Sequence, residues 1–233
     1  MEIIPVIDLK RGQVVRARLG RREEYRPIET PLSATSDPID VARGLLSLFP
    51  FATLYVADLD AIESAGSNDE AIALMRAALP NLSLWVDNGM AEVGAARRWL
   101  AAGWGSLVIG SESQKDPQLL GALAGESRVV LSLDFRGDAF QGAPSILTNP
   151  RLWPKRVIAM TLARVGSGAG PDLDRLGALR AAAPDCKLYA AGGVRDSRDI
   201  ENLARAGVSG ALVSTSLHEG GLTGLDIDRA QYL

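Results

Sequence analysis

The stretch that decides the fold is Leu84–Ser113, LWVDNGMAEVGAARRWLAAGWGSLVIGSES, because a second stretch repeats its pattern. The second stretch is Leu188–Leu217, LYAAGGVRDSRDIENLARAGVSGALVSTSL. Each copy is typical of a strand, a glycine-containing turn, an amphipathic helix ending in Ala-Gly, a second strand and a turn of small residues. Matching positions lie 104 residues apart throughout, down to Ser111 in one copy and Thr215 in the other. This constant spacing indicates an internal duplication whose halves form one closed object.

Short apolar runs that alternate with helical patterns continue over the rest of the chain. The runs outside the repeats are Ile3–Ile7, Thr53–Asp58, Val129–Asp134 and Val157–Leu162. Runs of this kind are typical of parallel strands buried on both faces. With the four strands of the repeats they make eight, separated by about eight helical segments. The pattern predicts an α/β fold, a (β/α)8 TIM barrel built from two half-barrels, with an open doubly wound sheet as the alternative.

The two halves differ in one loop and one helix. Asp8 and Asp134 both end apolar strands, but they are 126 residues apart rather than 104 because the first loop, Gly20–Ser36, is longer. Between Phe135 and Arg156 three prolines leave no room for a long helix, which predicts a shortened fifth helix. We expect residues 1–233 to form a single domain.

Composition narrows the classes of function. The formal net charge of −3 argues against a nucleic-acid partner or an anionic membrane surface. One cysteine, one histidine and scattered carboxylates provide no metal-ligand spacing, so we expect neither a metal nor a cofactor. The sequence has no signal-peptide pattern and no apolar run near the ~18 residues of a membrane span. These features predict a cytoplasmic protein, and they leave its oligomeric state open.

The chemistry of a (β/α)8 barrel is carried by residues at the carboxyl ends of its strands, which meet at one face. Asp8 and Asp134 end strands one and five, on opposite sides of that face. Two carboxylates across a substrate can divide acid and base work when their surroundings separate the two pKa values. The alternative is that each aspartate caps a loop or pairs with an arginine. Other strand-end residues expected at this face are Asp58, Asp87, Thr161, Gly192, Gly193, Ser214 and Thr215.

Two turns in the second half predict a phosphate site. The Gly192-Gly193 turn allows backbone N–H groups to approach an anion closely, and Ser214-Thr215 forms the turn after the next strand. Barrels of this type often bind phosphate after strands seven and eight. The equivalent turns of the first half, Asn88-Gly89 and Gly110-Ser111, predict a second phosphate position, with the negative charge of Asp87 beside it.

Three further residues have weaker patterns. Arg16, with Arg18, Arg21 and Arg22, is a candidate phosphate clamp on the first loop, and a solvated basic hairpin is the alternative. Asp58 is a candidate substrate-binding residue because it ends the second strand. His218, the single histidine, follows the proposed phosphate turn and is predicted to be a solvent-exposed loop residue.

Several of these segments resemble one known enzyme family. IPVIDL at Ile4–Leu9, LYVADLDA at Leu54–Ala61, LSLD at Leu131–Asp134 and AAGGV at Ala190–Val194 resemble the phosphoribosyl-formimino aminoimidazole carboxamide ribotide isomerase of histidine biosynthesis. Its sister is the cyclase subunit of imidazole glycerol phosphate synthase. The resemblance covers nearly the whole chain, and the duplicated half-barrel is a hallmark of this family.

The resemblance implies roles for individual residues. In the isomerase, the aspartate of strand one is the general base and that of strand five the general acid, and these positions correspond to Asp8 and Asp134. They drive an Amadori rearrangement of an aminoaldose phosphate to an aminoketose phosphate. A threonine on strand six assists the chemistry, and Thr161 occupies the matching place. The resemblance therefore implies a small phosphorylated substrate.

The chain also departs from the family pattern in two places. The Asp-Gly-Thr loop after strand six is replaced by ARVGSGAG at Ala163–Gly170, which has no acidic residue, and Gly-Gly-Gly-Ile-Arg after strand three is replaced by Asp87–Ala91. The first loop resembles a divergent branch found in methanogens and methylotrophs. One alternative is therefore an enzyme for a singly phosphorylated precursor of one-carbon cofactors such as methanopterin or methanofuran. Another is a catalytically silent barrel that binds a phosphometabolite.

Overall fold

A closed barrel forms the centre of the computed structural model, which describes residues 1–17, 21–165 and 167–233. Within these residues eight parallel strands pair side by side, and the last strand pairs with the first. In chain order, with two hairpin strands included, they are β1 (Glu2–Lys10), β2 (Gln13–Val15), β3 (Thr53–Asp58), β4 (Ser83–Asp87), β5 (Ser106–Gly110), β6 (Val129–Arg136), β7 (Ala139–Gln141), β8 (Arg156–Thr161), β9 (Lys187–Ala191) and β10 (Gly210–Val213). The predicted (β/α)8 barrel is confirmed, and the open sheet is wrong.

Helices connect the barrel strands and cover the outside of the barrel. They are α1 (Pro38–Leu48), α2 (Leu59–Ile62), α3 (Asp69–Ala78), α4 (Val93–Ala102), α5 (Gln118–Ala122), α6 (Pro144–Thr148), α7 (Leu173–Ala182), α8 (Ser197–Arg205), α9 (Thr215–His218) and α10 (Gly224–Ala230). Among the described residues, none of the helices has the length and apolar character needed to cross a membrane.

The two short strands outside the barrel repeat the same hairpin in each half. β2 pairs antiparallel with β1, and β7 pairs antiparallel with β6, the fifth strand of the barrel. Asp8 lies opposite Val15, and Asp134 lies opposite Gln141, so both hairpins have the same register. This identity agrees with the predicted duplication and gives Asp8 and Asp134 equivalent places in the two halves.

The fifth helix is short, as its prolines predict. α6 has five residues with Pro144 at its start, and a single 3-10 turn at Pro150–Leu152 follows it. The indole N–H of Trp153 donates a hydrogen bond to the carbonyl oxygen of Ile146 at 2.7 Å, which ties this segment together. The prediction of a shortened fifth helix is confirmed.

The apolar residues form two layers, one inside the barrel and one between strands and helices. Because successive side chains of a strand point to opposite faces, each strand contributes to both layers. Inside the barrel, Trp85 and Tyr189 meet edge to face with ring centroids 4.9 Å apart, and the guanidinium of Arg156 lies 5.1 Å from the Trp85 ring centroid. The inner layer consists of Ile4, Tyr55, Trp85, Val108, Val130, Ile158, Tyr189 and Leu212, among others. The barrel interior below the cavity, toward the amino ends of the strands, is therefore a packed core.

The first loop is anchored to the barrel through α1. A side-chain oxygen of Asp37 accepts hydrogen bonds from the N–H groups of Ile39 and Asp40, which caps the helix. On its buried side, a Cβ atom at Gly44 would lie 2.0 Å from the carbonyl oxygen of Leu32. Glycine at this position therefore permits close contact between α1 and the loop.

We expect Gly44→Ala to destabilise the protein by about 2 kcal/mol or more, because the added methyl group overlaps the backbone of Leu32. Gly177→Ala is the matched control, since a Cβ atom at this exposed position in α7 meets no atom within 4 Å. The control should stabilise the protein by about 0.5–1 kcal/mol through helix propensity. Urea denaturation of both variants measures the difference, and equal stabilities would contradict the packing described here.

Candidate active site

The carboxyl ends of the barrel strands surround a cavity of about 560 Å³. A volume of this size is typical of a small-molecule site. Its charged lining residues are Asp8, Arg22, Asp87, Glu112, Asp134, Arg136, Arg195 and Glu219. Asp8 and Asp134 therefore line one cavity, at the equivalent ends of β1 and β6.

Asp134 is the most firmly held of these carboxylates. One of its oxygens accepts a hydrogen bond from the Ser132 hydroxyl at 2.6 Å, and the other accepts from the Ser111 hydroxyl and the Glu112 N–H, both at 3.1 Å. Burial raises its pKa from 3.8 to about 7, and the charges of Asp87 and Glu112 act in the same direction. The side chain is thus fixed in position, and its carboxyl group gains and loses its proton near neutral pH.

Asp87 lies beside Asp134 across a glycine. A Cβ atom at Gly110 would lie 3.0 Å from one oxygen of Asp87 and 3.5 Å from an oxygen of Asp134. The Tyr55 hydroxyl donates to Asp87 at 3.3 Å. Burial raises the pKa of Tyr55, and the charges of Asp87, Asp134 and Asp8 act in the same direction. Burial raises the pKa of Asp87 to about 6. Tyr55 therefore keeps its proton and donates it in the hydrogen bond to Asp87.

Asp8 has different surroundings. Its carboxylate accepts no hydrogen bond from the residues that the structure describes, and it opens into the cavity. Burial raises its pKa from 3.8 to about 7, while the positive charge of Arg22 acts in the opposite direction. The charged neighbours of the two aspartates thus have opposite signs: a cation lies near Asp8, and two anions lie near Asp134.

The two turns of the second half both reach the cavity wall. Gly192, Gly193, Ser214 and Thr215 line it. Gly193 has a φ of +87°, and a Cβ atom there would lie 2.2 Å from the carbonyl oxygen of Gly170, so the turn requires glycine. Among the described residues, no acceptor is bound by the N–H groups of Gly193 and Thr215. These donors are available to an anion.

The equivalent turns of the first half have a different hydrogen-bond pattern, and the predicted phosphate-binding roles of Gly89 and Ser111 stay predictions. The Gly89 N–H donates to the Asp87 carboxylate at 3.1 Å, so it is already used. The Ser111 side chain is fully buried, and its hydroxyl donates to Asp134 and to the carbonyl oxygen of Gln141. Neither residue lines the cavity. Ser111 instead positions Asp134.

Two strand-end residues, Asp58 and Thr161, do not line the cavity, and their predicted roles in binding and catalysis stay predictions. Asp58 caps α2 by accepting from the Ala61 N–H, and it also accepts from the backbone and side-chain N–H groups of Asn68 at 2.7 and 2.6 Å. Tyr55 and Ala57 line the cavity from β3 instead. Thr161 is buried at the end of β8, and the neighbouring Met160 and Leu162 line the cavity in its place.

Loop one brings one of its predicted arginines, Arg22, to the cavity. Arg16 pairs with Glu219 and does not line the cavity, and its role as a clamp stays a prediction. Arg22 lines the cavity and pairs with Glu112, which follows β5. The first loop therefore reaches from the end of β1 to the end of β5 across the cavity opening. Arg21 pairs with Glu24 on the exposed part of the loop. Arg18 lies outside the described residues.

His218 is buried rather than exposed, which corrects its predicted position. Only 3% of the residue is exposed, and its Nδ1 lies 3.0 Å from the Thr30 hydroxyl. Burial lowers its pKa to about 4, so the ring is neutral at physiological pH. The short helix α9 turns this side chain back under the first loop, where it supports that loop.

Comparison with known proteins adds the evolutionary context. The family model described as "Histidine biosynthesis protein" matches residues 2–223. A protein of Halorhodospira halophila is 30% identical over 95% of this chain and 94% of its own length, and one of Thermus thermophilus is 32% identical over 94% and 95%. Both are named 1-(5-phosphoribosyl)-5-((5-phosphoribosylamino)methylideneamino) imidazole-4-carboxamide isomerase. An uncharacterized protein of Methanocaldococcus jannaschii is 27% identical over 94% of each chain.

We expect Asp8→Asn to stabilise the protein at pH 8 by up to about 4 kcal/mol. The folded-state pKa of Asp8 is raised above its unfolded value of 3.8, so its ionisation costs stability as the pH rises toward 7. Asparagine avoids this cost, and the gain should shrink as the pH falls from 7 toward 4. Urea denaturation at pH 5 and pH 8 measures it. Asp185→Asn, in an exposed turn, is the control, and a gain for Asp8→Asn that is independent of pH would contradict the buried charge.

Proposed function

This chain belongs to the histidine biosynthesis protein family, and we propose that it converts a phosphorylated aminoaldose to the corresponding aminoketose. It is an isomerase-type enzyme, as its full-length relatives are. The observation that carries the proposal is the pair of aspartates at equivalent strand ends, Asp8 and Asp134, which line one cavity with pKa values near 7. Acid–base isomerisation needs groups that gain and lose protons at the working pH.

The neighbours of each aspartate support a division of roles. Asp87 and Glu112 raise the pKa of Asp134, which favours its protonated form and suits a general acid. Arg22 lowers the pKa of Asp8, which favours the carboxylate and suits a general base. Both pKa values lie near 7 and do not by themselves assign the two roles, so the assignment rests on the sign of the neighbouring charges.

The reaction proceeds in two stages, each with one proton transfer at Asp134 and one at Asp8. Asp134 donates its proton to the ring oxygen of the aminoaldose, so the bond from C1 to that oxygen breaks and a C1 iminium forms. Asp8 then removes the proton from C2, and the electron pair of that bond neutralises the iminium to give an enolamine. The 2-hydroxyl proton of the enolamine then passes to Asp134 as the C2 carbonyl forms, and the proton held by Asp8 passes to C1, which gives the aminoketose and restores both aspartates to their starting states. No atoms are gained or lost, as an isomerisation requires.

The second-half turns supply the binding energy. The N–H groups of Gly193 and Thr215 and the hydroxyl groups of Ser214 and Thr215 can donate to phosphate oxygens at the cavity wall. A phosphate held there fixes the sugar between the two aspartates, which lowers the entropic part of the barrier. The alternative role in one-carbon cofactor synthesis and the silent barrel stay predictions.

The proposal predicts that Asp8→Asn and Asp134→Asn each lower kcat by about 10²- to 10⁴-fold. Suitable substrates are the aminoaldose ribotide for which the relatives are named and the N-alkyl phosphoribosylamine formed from ribose 5-phosphate and a primary amine. Formation of the ketose, followed by NMR, measures turnover. Asp185→Asn should retain full activity. Undiminished turnover in either active-site variant, or no turnover of either substrate by the unsubstituted protein, would overturn the proposal.

The pH dependence of kcat/KM should be bell-shaped with its maximum near pH 7. Below this pH Asp8 becomes protonated and ceases to act as a base, and above it Asp134 loses the proton it donates. Glu112→Gln removes an anion that raises the pKa of Asp134, so the alkaline limb should move to lower pH. The same change releases Arg22, a cation that lowers the pKa of Asp8, so the acid limb should not move to higher pH. A profile without an alkaline limb would contradict the role of Asp134.

A further inference from the structure

We propose that the cavity accepts a substrate with one phosphate, bound at the second-half turns, and that its opposite end takes a neutral or cationic hydrogen-bond donor instead of a second phosphate. The inference deepens the proposed function, on which it rests for the identity of the cavity as the substrate site. It concerns which molecules bind there, and binding can be measured without turnover.

The turn after β4 already uses the N–H group that a phosphate would need. The Gly89 N–H, which corresponds to the free N–H of Gly193, donates to the Asp87 carboxylate at 3.1 Å. A Cβ atom at Gly89 would lie 2.9 Å from the Cα atom of Ile62, so the turn packs directly against α2. The protein's own carboxylate and its own helix thus occupy the space and the donor that a phosphate would need.

The turn after β5 also differs from its second-half equivalent, the turn after β10. Ser111 and Glu112 correspond to Thr215 and Ser216 at the 104-residue spacing. The Glu112 N–H donates to Asp134, whereas the equivalent N–H of Ser216 binds no acceptor among the described residues. This donor of the first half therefore orients a carboxylate, and its second-half equivalent remains open to an anion.

The charges at the first-half end of the cavity also oppose a second phosphate. Arg22 reaches the first-half end of the cavity, but it is paired there with Glu112. The carboxyl groups of Asp87, Glu112 and Asp134 surround this end and outnumber its arginines, Arg22 and Arg136. A second phosphate would meet like charge on several sides. A hydroxyl or an ammonium group would instead find carboxylate acceptors.

The inference separates this chain from the relatives described above. Their printed name contains two phosphoribosyl groups, one at each end of the molecule. The closed first-half turn points to a shorter or differently ended ligand here. The class that fits is an aminoaldose monophosphate whose amine substituent ends in a hydrogen-bond donor.

A matched pair of ligands tests this directly. The first is 1-deoxy-1-(6-hydroxyhexylamino)ribulose 5-phosphate, and the second is the same compound with a phosphate on the terminal hydroxyl group. Isothermal titration calorimetry with the full chain should give a Kd for the first ligand at least about tenfold lower than for the second. Equal or tighter binding of the bisphosphate, or no binding of either ligand, would overturn the inference.

Charge-removing variants test the cause. In the double variant Asp87→Asn with Glu112→Gln, the like charge is reduced and Arg22 is released, so the ratio of the two Kd values should fall toward one. The single variant Glu112→Gln should give an intermediate ratio, and circular dichroism checks that both are folded. Glu126→Gln, which removes a carboxylate that pairs with Arg128 away from the cavity, should leave the ratio unchanged. A folded double variant that keeps the original ratio would contradict the electrostatic argument.

The outcomes for binding and for turnover are distinguishable. If the ligands bind with the expected ratio but no phosphorylated aminoaldose is converted, the isomerase function fails and the single-phosphate inference stands. If the bisphosphate binds tightly and is converted, the inference fails and the isomerase function stands.

Discussion

The pairing of β10 with β1 closes the barrel, and the position of every group at its mouth depends on that closure. The two strands run parallel from the Glu2–Gly210 pair to the Pro5–Val213 pair. A Cβ atom at Gly210 would lie 2.7 Å from the carbonyl oxygen of Glu2 and 2.8 Å from the Tyr189 ring, so the closing contact needs glycine. Closure brings the end of β1 and the turn after β10 to one rim, which places the Asp8 carboxylate and the Ser214-Thr215 turn at the same cavity.

The carboxylates at this rim oppose stability and favour chemistry for the same physical reason. Removing Asp8, Asp87 and Asp134 from water raises all three pKa values, to between about 6 and about 7. Charged groups held this way cost folding free energy at neutral pH, but they exchange protons where the enzyme works. The barrel tolerates the cost because its interior below the cavity is a packed apolar core.

The sequence predicts the barrel well and the site only in part. The 104-residue repeat and the strand-end aspartates are local patterns, and both are found where they were expected. The sequence does not show in the same way which side chains of a strand meet the cavity, because all six residues of Thr53–Asp58 are buried. Barrel register therefore decides that Tyr55, rather than Asp58, meets the cavity. The pairing of Arg22 with Glu112 across 90 residues is likewise tertiary, and it is absent from any local pattern.

The most direct test of this account is the titration of the two aspartates themselves. Carboxyl carbon-13 NMR of protein labelled at aspartate, with Asp8→Asn and Asp134→Asn used for assignment, measures each pKa. The account predicts two resonances that titrate near pH 7, each missing from the spectrum of one variant. If both carboxyl groups titrate near pH 4, the cavity does not hold an acid–base pair, and the proposed isomerisation loses its physical basis.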